Sequence, residues 1–585
     1  MGIKEKIEVA KDEREGDIIL KGGKIINTFD NSIDEGDIVI YKGEIVGIGK
    51  YSKAREIYNI NGYYVSYGFF DSHIHIESTS LTPQEFAKAV VPKGTLGVVA
   101  DPHEIANVAG IRGLKYMLSA SENLPIDIYF MLPSCVPSSP FENSGAKLNI
   151  EHLYPFLSNP KVLGLGEMMN YPGLLNLDAD VLKKVEYFKD RIIDGHSPFL
   201  LGNNLNGYIS AGIQSDHECT NLSEAREKLK KGMWIMIREG SVAKDLDSLF
   251  PLIDYNTYPR ILLCTDDRHP GDLIKVGHMN EILKKLVKKG LDPCLAIRLA
   301  TLNPATYFKL NKIGAIAPNY YANIVVLEDL INFEPKLVFY RGNLVSKDGN
   351  PMFSYDRPKS EGAVKNTVNI KTLTYEKIKV KAIGEKINVI GVNQNSLITE
   401  RFFYKPKVEN GFVVSDISRD ILKIVVVERH KATGNVGVGF IKGFRLKDGA
   451  IASTIAHDHH NIIAVGTNDK DILLAISILE SYGGGISIAK NGRVLSILPL
   501  PFGGLMSDRS AKEVDEEYQK LLYFSKKLGC NLDDPFMTLS FMALPVIPHL
   551  KITDLGLVDT DNFKIISLFE TGEWYEINNR WNGLL

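Results

Sequence analysis

The sequence predicts an α/β protein: an eight-stranded (β/α)8 barrel flanked by a discontinuous β-sandwich module and followed by an α+β domain. Three observations carry this. Between about 67 and 310, eight short apolar runs alternate with helix-like stretches or connecting loops, and the span matches the roughly 250 residues of such a barrel. Short strands broken by turns lie on both sides of that region, so one small β-module is completed by chain from before and after it. Beyond about 365, further strand-like runs precede two helix-like segments, the signature of a separate α+β unit.

In chain order, DIILKGGKIINT and DIVIYKGEIVGIG, with Lys-Gly pairs at the bends, open the β-module, which takes 1–66 and 311–365. GAIAPNYYANIVVLEDL and PKLVFYRGNLVSKDG supply its second part. The barrel runs are VSYGFFDSHIH, GTLGVVADPH, DIYFMLPSC, VLGLGEMM, RIIDGH, GIQSDH, MWIMIREG and RILLCTDD. The third domain, 366–585, carries IKVKAIG, KINVIGV and ILKIVVVERH as strands, with helices expected in NDKDILLAISILESYGG and SAKEVDEEYQKLLYFSKKLG.

Composition narrows the function classes. With 585 residues the chain holds two to four domains, and 44% hydrophobic with 24% charged residues is ordinary for a globular protein. A net charge of −3 provides no broad basic field for a nucleic-acid backbone, so a small-molecule partner is expected. Five cysteines, an odd number without a CxxC pair, fit a reducing cytoplasm. The charged N-terminus lacks a signal-peptide core, Glu5 and Lys6 argue against myristoylation after Met-Gly, and no run of about 18 apolar residues suggests a membrane span.

The chemistry concentrates at strand ends. His73 and His75 are two apart on the first barrel strand, so both imidazoles point to one side and can grip one cation. Glu167 ends strand four, His196 strand five, His217 strand six and Asp266 strand eight. Each alone reads as readily as a hydrogen-bonded core residue or helix cap. Together, at the rim where barrel active sites lie, the six suit two divalent ions. One would be held mainly by His73, His75 and Asp266, the other by His196 and His217, with Glu167 between. Imidazole and carboxylate ligands accept zinc, manganese or iron, and such a pair serves hydrolysis.

The segments GFFDSHIHIES, VVADPHEIANVAG, GLGEMMNYPG, DGHSP, SDHECT, MIREGS, LLCTDDR, AIRLATLNPATYF and IAHDHHNIIAVGTNDKDILLA give the sequence its closest likeness. It resembles the amidohydrolase superfamily, and within it the bacterial and archaeal adenine deaminases, over nearly the whole chain. The resemblance implies hydrolytic deamination of adenine to hypoxanthine in purine salvage. A metal-bridging hydroxide would attack C6, Asp266 would relay its proton, and Glu167 would bridge two metals, manganese or iron ahead of zinc. Glu104, Arg238 and Glu239, at the ends of strands two and seven, are candidate ring contacts, although salt-bridged loop residues would read the same way. A homo-oligomer, most simply a dimer, is expected. LLGNNLNGYI departs from the family, which usually carries a Gly-Lys pair there.

Other amidohydrolases acting on related purines or cyclic amides remain open. The nucleic-acid deaminases are excluded because Pro293-Cys294 is followed by Leu295-Ala296-Ile297 and lacks the second cysteine. A non-catalytic barrel scaffold conflicts with six retained ligands. The remaining feature, His457-Asp458-His459-His460, could be a further metal site, a lid or a hydrogen-bonded turn. The expectation is that it packs over the barrel mouth, with His457 and His459 helping to bind substrate.

Overall fold

The barrel strands are largely buried, and Thr95–Ala100 and Asp127–Leu132 are buried from end to end. Strands covered on both faces carry continuous apolar runs, not alternating ones. In the computed structural model, which describes residues 2–393 and 396–570, five strands pair in parallel in chain order: Phe69–Ile74, Thr95–Ala100, Asp127–Leu132, Val162–Met168 and Ile192–Gly195. A second parallel set holds Ser215–Asp216, Trp234–Arg238 and Ile261–Cys264. The sets join where Gln214 N–H donates to Ile193 O (3.0 Å) and where Ile74 bridges Asp266, so the eight strands close. All eight lie within the eight apolar runs read from the sequence.

Chain from both flanks of the barrel makes one nine-stranded sheet, joined where Tyr64–Tyr67 pairs antiparallel with Ile324–Leu327. Its long strand Gly16–Asn27 pairs first with Ala54–Asn59 and then with Tyr64–Tyr67, changing partner at an irregularity between Leu20 and Gly23. Gly22 has φ +75° there, and a Cβ would overlap Asn61. Only glycine takes that corner without strain.

The C-terminal region is an eight-stranded mixed sheet with Leu422–Val427 near its centre. The helix Asp469–Ser481 packs its apolar face on this sheet and starts where the Asn468 side chain accepts from Asp471 N–H. The helix Ala511–Lys527 starts at a reciprocal Ser510–Glu513 cap. This domain is fastened to the barrel by Ser507 N–H donating to Ser80 O (2.9 Å), by Asn143 donating to Asp554 (2.6 Å), and by the Lys275–Asp515 ion pair (2.6 Å). Among the described residues, no helix is long and apolar enough to cross a membrane.

Candidate metal centre

Two glycines explain how the site residues come so close. A Cβ at Gly166 would lie 2.0 Å from Asp101 Oδ2, and one at Gly195 would lie 2.2 Å from Ser215 O. These residues precede Glu167 and His196, and their bareness lets strands four and five press against their neighbours. Asp101 Oδ2 then accepts from Glu167 N–H (3.1 Å). At strand eight, Asp266 adopts φ +57°, a conformation that costs a non-glycine residue about 1 kcal/mol or more. Its backbone is clamped to strand one, Asp266 N–H donating to His73 O (3.0 Å) and His75 N–H donating to Asp266 O (3.4 Å). Asp71 stitches the same strands from below, accepting from Thr265 N–H (3.1 Å) and Thr265 Oγ1 (2.5 Å).

The six donors converge. His73 Nε2 and His75 Nε2 stand 3.2 Å apart, and His75 Nε2 is 3.2 Å from both Glu167 Oε1 and Asp266 Oδ1. On the other side of Glu167, Oε2 lies 2.7 Å from His196 Nδ1 and 3.3 Å from His217 Nε2. Ligands at about 2.0–2.1 Å from a tetrahedral cation are about 3.3 Å from one another, so this spacing suits donors around a metal. His75 Nδ1–H donates to Asp101 O (2.9 Å), which leaves Nε2 as the ligating nitrogen. The His196 N–H is held by Tyr208 Oη (3.0 Å), which itself donates to Met168 O (2.8 Å). Tyr208 comes from LLGNNLNGYI, so the segment that departs from the family pattern still supports the rim.

Electrostatics keep the carboxylates ionised. Burial opposes charge on Glu167, but hydrogen bonds from His196, His217 and His75 outweigh it and hold its carboxyl well below the usual range. Burial likewise opposes charge on Asp266, and His75 with the Arg238 guanidinium reverses the balance. Burial, followed by the neighbouring His217, drives the His73 pKa down, keeping that imidazole neutral. Ionised carboxylates and a neutral His73 suit metal binding. Burial opposes charge on His75, His196 and His217 too, but the facing carboxylates Glu167, Glu218 and Asp266 outweigh it and raise their pKa, so protons on these three imidazoles must leave as a cation binds.

The other residues singled out from the sequence divide. Arg238 reaches the cavity, but its guanidinium donates to Asp266 Oδ2 (2.9 Å), Asp245 Oδ2 (3.0 Å) and Glu218. Glu104 also lines the cavity, yet both its oxygens are taken by the C-terminal domain: His457 Nδ1 lies 2.7 Å from Oε1, and His460 Nε2–H donates to Oε2. Ala456 N–H donates to His460 Nδ1 (3.3 Å), fixing that tautomer. The expected packing of the histidine segment on the barrel mouth is therefore seen through His457 and His460. His459 does not face the cavity; it is fully buried behind it, its Nδ1 accepting from Asn461 N–H (2.9 Å). Glu239 also points away, because Lys285 Nζ (2.8 Å) and Leu246 N–H (3.3 Å) hold its carboxylate.

Residues not singled out by sequence reasoning join the site. His103 Nδ1 is 3.3 Å from Glu167 Oε1, and Glu218 Oε1 lies 3.5 Å from His217 Nε2. Both sit at strand ends inside segments already noted, DPHE and SDHECT, so the rim argument applied to His217 would have found them. The cavity, about 640 Å³ counted to its open mouth, is polar on the barrel side. The C-terminal domain lines it with Leu397, Phe541, Leu544, Val546, Ile547, His457 and Asp458.

Residues 64–345 match the amidohydrolase family, and 396–564 match the adenine deaminase C-terminal domain. The chain is 48% identical to adenine deaminase 2 of Carboxydothermus hydrogenoformans, over 96% of this chain and 99% of that protein. It is 44% identical to the adenine deaminase of Kosmotoga olearia, over 97% of this chain and 99% of its relative. The chain belongs to the adenine deaminase family. Among solved structures, a β-aspartyl dipeptidase from Fervidobacterium islandicum AW-1 aligns with 58% of this chain and 99% of its own, at 18% identity and a TM-score of 0.45. In this family member the six converging donors come from strands one, four, five, six and eight, and the C-terminal domain closes one side of their cavity.

Proposed function

We propose that this chain hydrolyses adenine to hypoxanthine and ammonia, as a cytoplasmic enzyme of purine salvage. The convergence of six metal-ligand side chains on one barrel rim, in a chain similar to adenine deaminases over nearly its full length, carries the reading. His73, His75 and Asp266 would hold one divalent ion, His196 and His217 a second, and Glu167 would be shared; manganese or iron is favoured over zinc. Bound divalent cations supply a water acidified toward neutral pH and polarise the atom under attack.

The protein's own groups then have separate tasks. Asp266, kept ionised and oriented by Arg238 at Oδ2, accepts the proton of the attacking water at Oδ1 and delivers it to the departing amine. Glu104 gives both its oxygens to His457 and His460, so its main task in this reading is to anchor the histidine segment that closes the cavity. The apolar wall from the C-terminal domain excludes bulk water, which strengthens electrostatic interactions inside. The deciding experiment strips the metals, reloads manganese, and measures ammonia release from adenine, adenosine, guanine and cytosine. Adenine should be turned over far better than the others, and preference for adenosine, guanine or cytosine would overturn the assignment. The same reading carries a homodimeric assembly, which sedimentation of the loaded enzyme tests directly.

A further inference from the structure

The C-terminal domain brings one carboxylate into the cavity that the chemistry above does not use. Asp458 is 3% exposed and lines the pocket. Its Oδ1 is 3.9 Å from His103 Nε2 and 3.9 Å from His457 Nδ1, both beyond hydrogen-bond length. Its Oδ2 has no hydrogen-bond partner among the described residues. A buried polar atom left unpaired is costly, and native proteins rarely leave one without a use. The neighbouring wall cannot satisfy it, because Leu397, Phe541, Leu544, Val546 and Ile547 carry no side-chain donor. On the other side of the His103 ring lies the metal rim, with His103 Nδ1 3.3 Å from Glu167 Oε1. One imidazole therefore stands between Asp458 and the rim, so the carboxylate is set back from the metal donors, on the side where the far end of a rim-bound ligand would lie.

We propose that Asp458 accepts the imidazole N–H of a free purine base and so selects the base over its N9-substituted forms. This rests on the reading that the amine-bearing carbon is presented to the metal rim. A free purine carries one N–H on its five-membered ring, and a carboxylate oxygen is an acceptor for it. In a nucleoside N9 carries the sugar and no proton, so that hydrogen bond is lost and the bulky sugar is pressed toward the apolar wall. Both penalties fall on the nucleoside and neither on the base. Losing one such hydrogen bond corresponds to about tenfold in binding.

The test uses the full-length, manganese-loaded enzyme and compares adenine with 9-methyladenine, which lacks the N9 proton but adds only a methyl group. Wild type should favour adenine at least about tenfold, read as kcat/KM or as an inhibition constant. Asp458→Leu should bring the two ligands to near equality by raising KM for adenine, with metal content unchanged. Asp458→Asn, whose amide oxygen still accepts, should keep part of the preference. An Asp458→Leu enzyme that retains the wild-type ratio would assign the discrimination to the apolar wall and overturn the proposal. Equal handling of both ligands by wild type would overturn it without any variant, so the proposal stays exposed even where Asp458→Leu does not fold. Failure of wild type to release ammonia from adenine would instead remove the underlying functional reading, and the proposal with it.

Discussion

Neutralising Glu104 should loosen the C-terminal domain from the barrel mouth while sparing the metals. Burial raises the cost of its charge, but His457 and His460 hold its carboxyl well below the usual range, so it is ionised between two imidazoles from the other domain. Hydrogen bonds to charged groups are worth about 1.5–3 kcal/mol each. In Glu104→Gln the amide oxygen keeps one weaker bond and the amide nitrogen opposes the other imidazole. The net cost is about 2–4 kcal/mol, roughly thirty- to thousandfold in the local docking equilibrium. Hydrogen exchange reads this directly: protection over 455–461 and 541–549 should fall by about that factor while the barrel strands keep theirs. Metal content should stay at the wild-type level, because neither Glu104 oxygen belongs to the six converging donors, and KM for adenine should rise. Wild-type protection and kinetics in a folded Glu104→Gln protein would refute the reasoning, showing that desolvation cancels what the two imidazoles contribute.

Three further substitutions separate the remaining roles. Glu167→Gln should lower metal occupancy, since its carboxylate meets His75, His196 and His217 at once; full stoichiometry by elemental analysis would contradict a shared ligand. Asp266→Asn should cut turnover by about a hundred- to ten-thousandfold even where metal is retained, and near-normal ammonia release would remove it from the mechanism. Lys551 is fully buried, among the described residues donating only to Leu397 O (2.9 Å) and Phe541 O (3.1 Å), and burial pushes its pKa down to about 7 from 10.5. Between those pH values the unfolded chain binds the extra proton, so this lysine's contribution to stability rises with pH and its cost is fully present below about 7. Lys551→Met should lose that rise; melting curves of the two proteins that stay parallel from pH 7 to 10 would show that the amine is not desolvated.

Much of the barrel was legible because strands covered on both faces write apolar-rich segments, and each of the eight strands lies within one of the segments read from the sequence, although Ser215–Asp216 is itself polar and was marked only by its neighbours. The convergence of the six side chains followed from position, since the C-terminal ends of barrel strands gather at one rim. Side-chain direction in loops was not legible. Glu239 follows strand seven as Glu167 ends strand four, but Lys285, forty-six residues later, turns it away. Within His457-Asp458-His459-His460, no periodicity says which side chains face the barrel; the turn puts His457, Asp458 and His460 toward it and His459 behind. The three-dimensional pairing of Glu104 with residues 353 and 356 positions away has no local signal at all.

The exposure of the six donors shows what the third domain adds to the rim. The side chains of His73, His75, Glu167, His217 and Asp266 are 9% exposed or less, whereas His196 reaches 19% and its neighbour Glu218 15%. A barrel rim alone faces water; here the C-terminal wall and histidine segment cover one side of it. Among the rim residues, solvent reaches His196 and Glu218 most. Rim and wall line one cavity, so chemistry at the rim and selection at the wall act on different ends of the same molecule. Loss of the Glu104 contact would expose the selecting end first, which is why Glu104→Gln should raise KM more than it lowers kcat.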